Sequence, residues 1–273
     1  MEILEKLFSL KGKQIIVFGG GGQIGFELSK VCALSGANVC IADYDIEQVQ
    51  KKIKSLDSKI ITEKLDYFKV DVTSPDSVSN FYKKVYKKYN RINGIINSFH
   101  YKGDSRKLDA KASFFNDIEN YPIDIWNKVH DVNLTGTFLT CKESIPYFKK
   151  NNGGVIINLS STYGIVSPNK NIYKKKSINS PVAYASSKAG IINLTRYLAT
   201  HLADYNIRVN VLSPGGVYNN QNKDFIKEYS KLTPLKRMAN IEDYSGAIIY
   251  MLSNSSSYLT GSNIVVDGGW TAW

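Results

Sequence analysis

At 273 residues, 43% of them hydrophobic, the chain carries enough apolar material for one large core and is not a disordered polymer. Its formal net charge of +11 raises nucleic acid as a partner. However, the lysines fall as helix-face pairs (Lys51/Lys52, Lys83/Lys84, Lys87/Lys88, Lys149/Lys150) alternating with apolar positions, which is the pattern of a solvated face and argues against that partner.

Residues 1–13 are mildly amphipathic but interrupted by Glu2, Glu5 and Lys6, too short and too charged for a signal peptide or a membrane span. Strands are predicted over 14–18, 38–42, 67–70, 94–97, 155–159, 208–212 and 263–266, rich in Val and Ile and largely without alternation, as strands buried on both faces should be. Helical patterns lie between them, at 23–35, 77–89, 126–149 and 184–205. Strand–helix alternation predicts an α/β fold: a single doubly wound, Rossmann-type domain over 1–273 with a seven-stranded parallel sheet. Two irregular inserts interrupt it. The first, near 99–118, carries Gly103, Asp104 and Arg106. The second, 167–181, is polar and basic, with Asn169, Lys170, Tyr173 and Lys174 to Lys176 between two prolines, and a structureless stretch of that length is more often functional than accidental.

Cys32, Cys40 and Cys141 sit in apolar segments without Cys-x-x-Cys spacing, so buried reduced thiols and a cytoplasmic location are expected. His100, His130 and His201 are scattered, and no metal site is expected.

The strand Ile15-Ile16-Val17-Phe18 runs into Gly19-Gly20-Gly21-Gly22-Gln23-Ile24-Gly25 and then into a helix. Glycine lets the backbone adopt positive φ and approach a pyrophosphate, toward which the new helix directs free N–H groups and its positive dipole end. Asp43 follows the next strand, eighteen residues after Gly25, where a carboxylate can bind both ribose hydroxyls of NAD and repel the 2′-phosphate of NADP. Past mid-chain, Tyr184 and Lys188 are one helical turn apart and share a face. A phenol is a poor acid–base group at neutral pH, and a neighbouring ammonium would lower its pKa. Ser161, just beyond the fifth strand, can hydrogen-bond the reacting oxygen.

With these three segments in this order, the whole chain resembles the short-chain dehydrogenase/reductase family. Asp71-Val72-Thr73 resembles that family's adenine-contacting motif, and Asn133-Leu134-Thr135-Gly136 the motif whose Asn supports a water relay to the lysine. Asn158-Leu159-Ser160-Ser161 resembles the serine motif, and Ser213-Pro214-Gly215-Gly216 the loop on the nicotinamide side. The resemblance implies a catalytic set of Asn133, Ser161, Tyr184 and Lys188. It implies cofactor contacts from Gly19, Gly22, Gln23, Ile24, Gly25, Asp43, Asp71, Val72, Asn97, Tyr184, Lys188, Pro214, Gly215, Gly216 and Val217. Substrate contacts are expected from His100, Ser161, Tyr163, Tyr173 and Tyr184, and a homodimer or homotetramer is implied.

The chain departs from the family pattern in several places. Phe18 stands for the usual Thr, Gln23 for the middle glycine, and Asn97-Ser98-Phe99-His100 keeps only the first residue of Asn-Asn-Ala-Gly. Asn219 stands for a Thr, and the 167–181 insert lengthens the Ser161–Tyr184 spacing. These features resemble a bacterial subgroup tied to flagellin modification or surface-polysaccharide sugar biosynthesis. The expected activity is NAD-dependent hydride transfer between nicotinamide and a secondary alcohol or ketone, with an anionic sugar derivative as the small-molecule substrate. The alternatives are a 3-oxoacyl-thioester reductase, which would favour NADP and which Asp43 opposes, and a catalytically idle nucleotide-binding protein.

Overall fold

The computed structural model describes residues 2–101, 114–173 and 181–273. Seven strands form one all-parallel sheet: β1 (Gln14–Phe18), β2 (Asn38–Asp43), β3 (Leu65–Lys69), β4 (Gly94–Asn97), β5 (Gly154–Leu159), β6 (Ile207–Pro214) and β7 (Asn263–Val266). Their spatial order is β3-β2-β1-β4-β5-β6-β7. The order reverses between β1 and β4, and at that switch point the crossover helices part to opposite faces and leave a crevice above the strand ends.

The helices are α1 (Glu2–Phe8), α2 (Gln23–Leu34), α3 (Ile46–Lys54), α4 (Lys59–Thr62), α5 (Pro75–Tyr89), α6 (Ile123–His130), α7 (Gly136–Lys150), α8 (Val182–Leu202), α9 (Lys223–Leu232) and α10 (Ser245–Leu252). Side-chain alternation along β1 divides the core between the two faces of the sheet. Ile15 and Val17 pack with Leu28 and Cys32 of α2 and with Ile248 and Met251 of α10. Ile16 and Phe18 pack with Phe81 and Tyr82 of α5, Phe148 of α7 and Leu198 of α8. Local signals set the element ends. Ser74 accepts the Ser77 N–H to cap α5, Pro75 opens the helix, and Asn90 closes it at φ 53°. All three cysteines are buried and unpaired by disulfides. Among the described residues no helix is long and apolar enough to cross a membrane.

The fold corrects several sequence-based boundaries. β3 runs from Leu65 to Lys69 instead of 67–70, and exposed Tyr67 and Lys69 stand either side of Phe68, which packs against the core, as on an edge strand with one face better covered than the other. β6 extends to Pro214, so Ser213 and Pro214 belong to the strand. The helix predicted over 126–149 is two helices joined by a π-helical turn, Asp131–Thr135. Insert 167–181 is not structureless throughout: Lys170–Tyr173 form a 3₁₀ turn, with Ile172 and Tyr173 packed against Phe225 and Tyr229 of α9. Lys174 to Lys176 and Arg106 lie outside the described residues.

Candidate active site

The glycine turn sits at the carboxyl end of β1 and opens α2. Gly19 has φ +72°, and a Cβ there would lie 2.7 Å from the Phe99 backbone. A Cβ on Gly25 would collide with the Gly19 carbonyl oxygen. No side chain could be fitted at either position without moving backbone. α2 begins without a side-chain cap at Gly22 and without an acidic residue in its first turn. Its leading N–H groups, those of Gln23 and Ile24 among them, are therefore left to face an anion.

Asp43 closes β2 beside this turn, its Oδ2 accepting the Gly21 N–H at 2.8 Å and its Oδ1 the Asp45 N–H at 2.9 Å. Each oxygen keeps a second acceptor position. Asp71 Oδ1 accepts the Thr73 N–H and hydroxyl at 2.9 and 2.7 Å, which shapes the turn after β3. Val72 and Phe99 converge on Gly136, where a Cβ would lie 3.0 and 3.1 Å from their side chains. Asn97 is 2% exposed, donates to Asn158 Oδ1 at 2.8 Å, and leaves its own Oδ1 buried without a partner. Bare helix-start N–H groups, a glycine cradle and a carboxylate at the second strand end together fit a nicotinamide dinucleotide.

On the other side of the crevice, the loop after β6 is held by two tyrosines. Tyr244 donates to the Gly215 carbonyl at 3.0 Å, and the Gly216 N–H donates to the Tyr229 hydroxyl at 2.6 Å. The Tyr229 ring stacks on Trp270 at 4.2 Å, so Trp270 packs into this chain's own core. Burial pushes the Tyr229 phenol up to about 12 and that of Tyr244 well above its ordinary value, which keeps both neutral. Val217 pairs with Ala239 as an isolated bridge. Gln23, in the place of the family's middle glycine, donates to the Tyr218 carbonyl at 2.9 Å and ties the two loops together.

Between these loops α8 presents Tyr184 and Lys188. Lys188 is 2% exposed, its Nζ donating to the Leu159 carbonyl at 2.8 Å and lying 5.7 Å from the Tyr184 ring centroid. Burial lowers its pKa from 10.5 to about 7. Desolvation raises the Tyr184 pKa, and the hydrogen bond with the Ser161 side chain works against that rise. Ser161 starts a 3₁₀ turn after β5, accepting the Tyr163 N–H at 3.2 Å. Phenol, serine hydroxyl and a lysine poised near neutrality can pass a proton to or from an oxygen in the crevice.

Asn133 lies in the π-helical turn, a distortion that recurs at functional sites. It is fully buried, donates to Ser187 Oγ at 2.9 Å, and accepts the Tyr101 N–H at 2.7 Å. Ser187 in turn donates to the Tyr184 carbonyl at 2.8 Å. Asn133 thus ties the start of the first insert to α8, and none of its hydrogen bonds among the described residues is to Lys188. The exposed His100 ring meets the edge of Tyr184 at 5.8 Å, and the Tyr163 and Tyr173 hydroxyls approach to 3.4 Å nearby. Lys52, Tyr229 and Tyr244 were not anticipated. Each acts across long sequence separation on a backbone group, which leaves no periodic or motif signal.

A family model described as Enoyl-(Acyl carrier protein) reductase matches residues 21–271. The chain is 32% identical to the post-translational flagellin modification protein A of Campylobacter coli, covering 96% of this chain and 99% of that one. It is also 32% identical to a sorbose reductase of Candida albicans, over 97% of this chain and 89% of the relative. Among solved structures, a short chain dehydrogenase from Leptospira borgpetersenii with bound NAD+ superposes with a TM-score of 0.82 at 32% identity, covering 98% of this chain and 95% of that one.

Proposed function

This chain belongs to the short-chain dehydrogenase/reductase family of oxidoreductases acting on alcohol and ketone groups, and we propose that it uses NAD to interconvert a secondary alcohol and a ketone on a sugar derivative. The observation that carries this reading is the convergence of Ser161 and Lys188 on Tyr184 beside the glycine turn.

Gly19, Gly22, Gln23, Ile24 and Gly25 would hold the pyrophosphate, Asp43 the adenosine ribose, and Asp71 and Val72 the adenine side. Asn97 and the Pro214-to-Val217 loop would hold the nicotinamide side, with Lys188 on its ribose. The bound dinucleotide supplies or accepts the hydride. Tyr184 gives its proton to the substrate oxygen in reduction and takes it back in oxidation. Lys188, when charged, favours the phenolate and so brings the tyrosine toward neutral pH. Ser161 hydrogen-bonds the same substrate oxygen and fixes its approach. Asn133 keeps α8 in register with the loop after β4.

Two observations support a sugar-type substrate. The 32% identical relatives include a flagellin modification protein and a sorbose reductase. The groove beside the first turn of α8 is lined by Asn116, Asn120, Ser167 and Lys170, side chains suited to hydroxyls, together with the carboxylates of Asp117 and Glu119. A homodimer or homotetramer, as the family resemblance implies, is part of this reading. The test is a screen of phosphorylated and nucleotide-linked sugars for NAD-dependent absorbance change. Turnover of at least one sugar, faster with NAD than with NADP, is expected. Activity confined to 3-oxoacyl thioesters with NADPH would overturn the assignment.

A further inference from the structure

Resting on that NAD-binding reading, we propose that Lys52 is a positioning residue for the cofactor pyrophosphate, acting on the backbone of the glycine turn. Lys52 lies in the last turn of α3, yet its ammonium reaches back to donate to the Gly21 carbonyl at 2.8 Å and the Gly22 carbonyl at 3.3 Å. The same ammonium stands over the Phe26 ring at 5.3 Å, which fixes its approach from the α2 side. Asp43 holds the preceding peptide through the Gly21 N–H at 2.8 Å. Consecutive peptides of one turn are therefore gripped by opposite charges, one through its N–H and the next through its carbonyl. There is no slack in this grip: a Cβ on Gly21 would lie 2.9 Å from both Asp43 Oδ2 and Val49 Cγ2.

The consequence for an anion follows from peptide geometry. In a planar trans peptide the C=O and N–H bonds point in opposite directions. Drawing the Gly22 carbonyl toward Lys52 turns the Gln23 N–H away from it, at the uncapped start of α2. The Gly22 N–H is separately engaged by the Gly19 carbonyl at 3.1 Å, so the turn cannot rotate as a unit. Charge points the same way. A cation beside a helix N-terminus opposes the helix dipole. An anion in front of the turn resolves the conflict, and the pyrophosphate is the ligand of that charge.

NADH and ADP-ribose are titrated into the full-length wild type, Lys52→Met, Lys52→Gln and Lys52→Arg, at low and high salt. ADP-ribose carries the pyrophosphate without the nicotinamide. Lys52→Met and Lys52→Gln should weaken both ligands by the same factor, about tenfold, because a charge-assisted contact is removed. The salt dependence of binding should flatten, the KM for NADH should rise far more than kcat falls, and Lys52→Arg should restore most of the affinity. Binding of both ligands within twofold of wild type in Lys52→Met or Lys52→Gln overturns the proposal, as does a loss confined to NADH. A wild type that binds neither ligand removes the NAD reading itself.

Discussion

Two glycine turns face each other across the crevice, and they are held in place by different physics. The turn after β1 is gripped by ions: Asp43 on its Gly21 N–H and Lys52 on the Gly21 and Gly22 carbonyls. The loop after β6 is gripped by neutral phenols, Tyr244 on the Gly215 carbonyl and Tyr229 on the Gly216 N–H. The first stays half-buried, where charges remain hydrated enough to be tolerated. The second backs onto the core, with Tyr244 fully buried and Tyr229 4% exposed, where an ion would be costly to desolvate and an aromatic hydroxyl is not. Solvent access, more than the shape of the turn, decides which kind of side chain can hold it. Salt should therefore act on one turn and leave the other alone.

The largest effect is expected where the two turns meet the chemistry. Lys188→Met should lower kcat/KM by roughly a thousandfold, since it removes both the group that favours the phenolate and a ribose contact. Stability should show a second signature. The folded lysine has a pKa of about 7 against an ordinary 10.5, so between those values the unfolded chain binds the extra proton and stability rises with pH. Thermal melts across that window should show a steeper gain in wild type than in Lys188→Met.

Next in size is the ionic turn itself. Asp43 would face the 2′-phosphate of NADP, and like-charge contact there should give NAD an advantage on the order of a hundredfold in affinity. Asp43→Asn should narrow that ratio, and comparable efficiency with both cofactors in wild type would remove this role for Asp43. The smallest effect belongs to the phenolic loop. Tyr229→Phe leaves the Gly216 N–H without its partner, at a cost of about 1–3 kcal/mol. This should read as a fall of several degrees in Tm that is the same at low and high salt. A salt-dependent loss at Tyr229 would erase the contrast between the two turns.

Much of the catalytic frame was legible because it depends on local sequence. The glycine turn follows a strand, Tyr184 and Lys188 lie one turn apart on a single helix, and β1 and β4 keep their expected limits. The edge strand β3 was less legible, since it alternates where fully covered strands do not, whereas β7 at the other edge keeps its expected limits. The π-helical turn at Asp131–Thr135 was invisible because apolar periodicity does not separate it from the α-helices on either side, and it carries Asn133, whose hydrogen bonds to Ser187 and Tyr101 are tertiary. The grips on the two turns were hidden for the same reason. Lys52 looked like one of many solvated helix-face lysines, and Tyr229 lies in a segment that carried no motif. Only the fold brings them to backbone atoms 31 and 13 residues away.

The central claim is that Tyr184 transfers the proton and does little to hold the dinucleotide. Its direct test measures kcat and NADH affinity side by side in wild type and Tyr184→Phe, with a sugar substrate found by the screen. The account predicts a loss of at least about a hundredfold in kcat with an NADH Kd within twofold of wild type, because only the transferable proton has gone. A Tyr184→Phe enzyme that keeps most of its turnover would contradict it.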